Sequence, residues 1–191
     1  MGYQRVETAP RLHSAELLLW LYLAATAMLF AGFTSAYLVQ RFSENWQTFP
    51  IPGVFWLNTT LLILSSYTLF WARRGYKVNN PWQIQVGLMA TFGLGVFFLV
   101  GQVIGWRLLV HNGFFLAGNH KAVSYFYVFS GLHALHLVAG LIVLGYWLFR
   151  AFRYQVAKQT ELGFRLASTF WHALGVLWVY LIVFLQVNQL F

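Results

Sequence analysis

An all-α bundle of five membrane-spanning helices is the fold this sequence predicts, and two observations predict it. Only 8% of the residues are charged, while 60% are hydrophobic and 20% aromatic; a soluble domain carries about 25% charged residues, so this chain could not cover a water-facing surface. Uncharged runs then occupy 17–40, 45–72, 78–106, 122–149 and 166–191. A spanning helix needs about 20 apolar residues, so each run holds one helix and none comfortably holds two. The runs are too long for membrane strands and show no period-two alternation. The 191 residues fit one membrane domain over 1–191 rather than two.

The first helix is expected over about 15–41. Its apolar stretch from Leu17 to Val39 exceeds a signal-peptide core and has no clear small-residue cleavage site, so it reads as a retained span. Ala27, Ala31 and Ser35 recur at four-residue spacing and predict a close helix–helix contact. Pro50 and Pro52 set the start of the second helix near Val54, since proline suits a helix start or the residues before it. That helix is expected to reach about residue 73, with Asn58, Ser65 and Ala72 forming a small and polar stripe. The third, about 83–107, carries Gly101 and Gly105 at the same close-approach spacing. Gln102 beside them is expected to bond to another helix.

The fourth helix, about 122–150, contains "SGLHALHLVAG". His133 and His136 lie three apart there, on one face, with Ser130 a possible local partner and Gly140 an opening for a neighbouring backbone. The fifth, about 164–189, places His172, Gly175, Val179, Ile182 and Gln186 on one face, which is expected to meet the fourth helix.

Basic residues give the orientation. The amino-terminal tail (Arg5, Arg11), the second connection (Arg73, Arg74, Lys77) and the fourth (Arg150, Arg153, Lys158, Arg165) share one side and hold nine of the twelve Lys and Arg. Arg41, Arg107 and Lys121 lie opposite. The positive-inside rule predicts a cytoplasmic amino terminus and a periplasmic carboxyl terminus. The net charge of +8 therefore reads as topology signal rather than a nucleic-acid surface. Arg107, Arg150 and Arg153 are placed to snorkel toward lipid phosphate.

A redox or proton-relay site finds little support. The chain has no cysteine, which excludes thiolate metal sites, iron–sulfur clusters and covalent c-type heme. His13, His111 and His120 fall in the tail or connections. His136 lies about 21 Å below the outer end of its helix and His172 about 12 Å above the inner end of its own, a mismatch of roughly 9 Å that disfavours a shared heme. His-x-x-His lacks the further ligands a metal needs. No Asp or Glu lies at membrane depth to relay protons, Glu16 being at the start of the first helix. Neutral imidazoles that fasten helices are the simpler reading.

Several blocks, in order, resemble subunit III of the heme-copper terminal oxidases: "FAGFTSAYLVQR", "LNTTLLILSSYTLFWARR", "GQVIGWRLL", "SGLHALHLVAG…LFR" and "FWHALGVLWVYLIVFL". They cover nearly the whole chain from residue 20 onward, in the pattern of the shorter bacterial form that lacks the first two of seven helices. The resemblance implies a subunit with no catalytic residues, cofactor or metal of its own. It would pack against the catalytic heme-copper subunit I, beside subunit II and others, in the bacterial cell membrane. It would hold structural phospholipid and support sustained turnover in aerobic electron transport and proton pumping, with heme and copper in the partner subunits and no nucleic-acid partner. The helix-packing residues it implies are Asn58, Gln102, His133, His136, Trp171, His172 and Trp178, with Arg150 a lipid-phosphate contact. Many relatives carry a glutamate where this chain has Thr26 and an aspartate where it has Gly175, which weakens any direct proton role. A quinol oxidase subunit III and the accessory subunit of nitric oxide reductase share the size and helix count. A small transporter or a cytochrome b-like heme protein is the alternative from another class; no internal repeat favours the transporter.

Overall fold

The structure, a computed structural model, describes residues 14–42, 46–117, 120–153 and 161–190. Arg5, Arg11, His13 and Lys158 lie outside them. The chain forms α1 (Ser14–Arg41), α2 (Val54–Lys77), α3 (Pro81–His111), α4 (Lys121–Arg153) and α5 (Glu161–Leu190). All five are long and apolar enough to cross a membrane, and all regular structure among the described residues is helical.

α2 to α5 extend beyond the expected bounds, because a charged or polar end does not stop a helix. α2 runs through Arg73 and Arg74 to Lys77, and α4 through Arg150 to Arg153. Long basic side chains keep their heads in water while their stems stay on the helix. His111, expected in a connection, ends α3. That helix begins at Pro81, where a missing N–H costs nothing, and the Asn80 side chain accepts from the Gln83 N–H at 3.3 Å. Before it, Asn79 takes a left-handed φ of 52°, which asparagine tolerates. The short α2–α3 turn makes these two helices an intimate antiparallel pair.

α2, α3, α4 and α5 close a ring in which each packs on the next and α5 returns to α2. α1 lies outside the ring and touches only α4 and α5 among the described helices. That position explains its small burial. Thr26, Phe30, Thr34 and Tyr37 face inward, whereas Ala27, Ala31 and Ser35 are exposed. The expected contact stripe on the first helix therefore is not spent within this chain. The stripe on α2 is: Asn58, Ser65 and Ala72 are all buried, and Ala72 lies where a Cβ on Gly87 of α3 would strike it.

Candidate functional site

Two tryptophans of α5, seven residues apart, fill the ring. Trp171 and Trp178 are each 1% exposed. The Trp171 indole N–H donates to Ser65 Oγ and the Trp178 N–H to Thr59 Oγ1, both at 3.1 Å. The two hydroxyls donate in turn to α2's own carbonyls, Ser65 to Leu62 O and Thr59 to Phe55 O. Each indole thus places its apolar body among α3 and α4 while its polar tip is satisfied on α2. Room for the rings comes from glycine. A Cβ on Gly95 of α3 would stand 2.7 Å from the Trp171 ring, and one on Gly140 of α4 would stand 3.2 Å from it. Gly140 therefore receives an indole rather than a neighbouring backbone. Lower in the hairpin, Thr68 and Thr91 hydroxyls bond at 2.8 Å, and Thr91 also donates to Gly87 O at 2.7 Å.

His133 is fully buried at the level of Trp178. Its ring lies 4.9 Å from the Trp178 ring and 5.8 Å from Phe98, centroid to centroid. Ser130, its expected local partner, is engaged elsewhere: it donates to Phe126 O at 2.7 Å and accepts from the Trp106 indole at 3.0 Å. Asn58 lies against Gly101, where a Cβ would collide with its amide; similarly, Phe55 occupies the space above Gly105. Asn58 and Gln102 are each 1% exposed. Neither amide, nor either ring nitrogen of His133, bonds to another group among the described residues. The interhelical bond expected of Gln102 is thus not made among the described residues. Leaving such groups unpaired costs about 1–3 kcal/mol each.

The other two histidines of the membrane segments look elsewhere. His136 packs on α1, 6.1 Å from Tyr22 and 6.0 Å from Phe30, and its Nδ1 lies 2.7 Å from Leu132 O. Thr26 falls between Tyr22 and Phe30 at four-residue spacing on α1 and is buried. His172 lies with Gly175 and Val179 on an apolar groove of about 730 Å³ between α5 and α2, opposite Leu62 and Ser66. The face expected to meet α4 thus meets α2, and α5 turns Trp171, Leu174 and Trp178 inward instead. A second groove, about 580 Å³, separates α5 from α1 and is lined by Thr26, Ala27, Ala31 and Leu177 among others. The three imidazoles do not converge, and among the described residues no three His, Cys, Asp or Glu side chains are grouped to hold a metal.

Charge gathers at the helix ends. Glu16 at the start of α1 pairs with Arg165 at the start of α5, which ties the peripheral helix to the ring. At the other end Arg41 Nη1 donates to Asn188 Oδ1 at 2.9 Å. Arg150 donates to the Tyr146 hydroxyl at 2.9 Å and lies over Trp147, while Arg153 lies over Phe149. Arg107 is exposed near the end of α3. Of the two acceptors for the indoles, Ser65 belonged to the small and polar stripe of α2, whereas Thr59 carried no distinguishing role in the sequence. Its signal was weak but present, as a hydroxyl on α2 next to Asn58.

The comparisons with known proteins agree with this architecture. The family model for cytochrome c oxidase subunit III matches residues 14–188, which span all five helices. "Cytochrome c oxidase subunit 3" of Yarrowia lipolytica is 31% identical over 127 residues, 66% of this chain and 46% of that protein. The same-named protein of Aedes aegypti is 31% identical over 140 residues, 73% of this chain and 51% of its own length. A bacterial relative, "Probable cytochrome c oxidase subunit 3" of Rickettsia conorii, is 31% identical over 146 residues, 75% and 49% respectively. The chain spans about half the length of these curated relatives. With five spans matched in order and the ring core inside the match, the chain belongs to the cytochrome c oxidase subunit III family.

Proposed function

We propose that this chain is a non-catalytic subunit of a respiratory cytochrome c oxidase, packed against the heme-copper catalytic subunit in a bacterial cell membrane. The family match across 14–188 carries the reading. The interior supports it, because two buried indoles are spent on helix-to-helix bonds, Trp171 to Ser65 and Trp178 to Thr59. Electrons would pass through the partner subunits that hold heme and copper. The names of the relatives favour cytochrome c over quinol as the donor. The charge distribution supports a cytoplasmic amino terminus and an outer carboxyl terminus, and the Glu16–Arg165 pair sets the starts of α1 and α5 on one side.

Asn58, Gln102, His133, His136, Trp171, His172 and Trp178 act as packing residues in this reading. Arg107, Arg150 and Arg153 contact phospholipid headgroups, and the two grooves flanking α5 offer apolar surface to acyl chains. The test is a strain lacking this chain, assayed in membranes with reduced cytochrome c. Oxygen uptake is expected to begin near the normal rate and to fail after far fewer turnovers, with recovery on complementation. Uptake that is unchanged in rate and duration would overturn the proposal.

A further inference from the structure

Around the middle of the ring the indoles and hydroxyls are paired, while three side chains are not. Above it, Trp106 donates to Ser130 and Ser130 to Phe126 O. Beside it, Trp178 donates to Thr59 and Thr59 to Phe55 O. Below it, Trp171 donates to Ser65 and Ser65 to Leu62 O. Every neighbouring hydroxyl hydrogen and indole N–H is therefore already committed. Between them, Asn58 Oδ1 and Nδ2, Gln102 Oε1 and Nε2, and both ring nitrogens of His133 have no partner among the described residues.

These six atoms share a level. Asn58 of α2 lies against Gly101 of α3, the residue next to Gln102. On α3, Phe98, Gln102 and Trp106 follow one face at four-residue spacing. Phe98 contacts His133 and Trp106 bonds Ser130 of α4, so Gln102 falls between those two contacts. Phe98 and Trp178 take the flanks of the imidazole, while Gly101 and Ser130 keep the adjoining walls small. All three side chains are at least 99% buried, out of reach of bulk water and of lipid headgroups.

The donor and acceptor inventory identifies the ligand. Two amides and one neutral imidazole offer a mixed set of N–H donors and oxygen or nitrogen acceptors. Among the described residues no Lys, Arg, Asp or Glu stands at this depth. An anion would need donors alone and a cation acceptors alone, whereas water both donates and accepts. Buried water makes about three bonds to otherwise unsatisfied groups. We propose that Asn58, Gln102 and His133 hold at least one internal water molecule, which joins α2, α3 and α4 at the centre of the ring.

The test is a density map of the purified membrane assembly containing the full chain, at a resolution that shows ordered water. Density at hydrogen-bond distance, about 2.7–3.2 Å, from two or more of the three side chains is the expected result. Direct bonds among Asn58, Gln102 and His133 with no density between them would overturn the proposal. The double variant Gln102→Met, His133→Phe replaces both polar groups with apolar ones. It should lose the water density while the Trp178–Thr59 and Trp106–Ser130 bonds persist; density retained in the variant would overturn the assignment of these residues. Should the variant not assemble, the wild-type map alone decides between the two outcomes.

Discussion

At residue scale, the glycines on α3 decide how closely the ring can close. Gly101→Val would force its side chain into the Asn58 amide, and Gly95→Val would enter the space of Trp171 and Leu141. Overpacking of this kind costs about 1–3 kcal/mol or more, so both variants should reduce the amount of chain recovered in membranes. At Gly32 on α1 an added Cβ meets nothing within 4 Å, so Gly32→Val should be recovered at the wild-type level. Equal loss in all three would show that steric fit at α3 is not the cause. Ser65→Ala removes the acceptor of the Trp171 N–H, a loss of about 0.6 kcal/mol and at most roughly 2 for an interhelical bond in a membrane. Its thermal midpoint in detergent should drop only slightly, and combined with Trp171→Phe it should add less than it costs alone. Additive losses would contradict a shared bond. The burial of Asn58, Ser65, Gly101 and Gly105 was legible because small or polar residues at helical spacing mark close approach, though side chains of α2 and not its backbone fill the space over both glycines. The inward turn of Trp171 and Trp178 was not. α5 is apolar almost all round, so its periodicity could not say which face is buried, and the histidine face seemed as good as the indole face.

At the scale of elements, the five helices and their type were legible, since uncharged runs of this length leave a chain no other means of satisfying its backbone in lipid. The ends were less so, because hydropathy falls at the first basic residue while the helix continues beneath it, as α2 does from Arg73 to Lys77. Hydropathy also says nothing about which helix neighbours which, so the position of α1 outside the ring was hidden until its contacts were seen. Its Ala27, Ala31 and Ser35 are exposed, the first two along the groove beside α5. The Glu16–Arg165 pair at the starts of α1 and α5 is half open to solvent on the arginine side, and such pairs are worth about 1 kcal/mol or less. Glu16→Gln should therefore leave assembly unchanged at low and high salt, measured as recovery of the chain; a large, salt-dependent loss would show that α1 depends on this contact. For the carboxyl-terminal end of α4, Arg150→Ala with Arg153→Ala should lower the anionic lipid that co-purifies, read by lipid mass spectrometry against the wild type. Unchanged lipid content would remove these arginines from the headgroup contacts.

For the whole molecule, the ring of α2–α5 with α1 laid against it is a body whose interior serves cohesion. Its indoles and hydroxyls bind helix to helix, His133, His136 and His172 point in three directions, and two apolar grooves run beside α5. A bundle of this design has surface to offer a larger membrane partner and an interior committed to holding its own shape. Native mass spectrometry of the assembly isolated through a tag on this chain tests that account most directly. The predicted result is one complex in which this chain accompanies a large heme- and copper-bearing subunit, and from which it dissociates carrying no heme. Recovery of the chain with no heme-copper subunit, or its release with stoichiometric heme, would contradict the account.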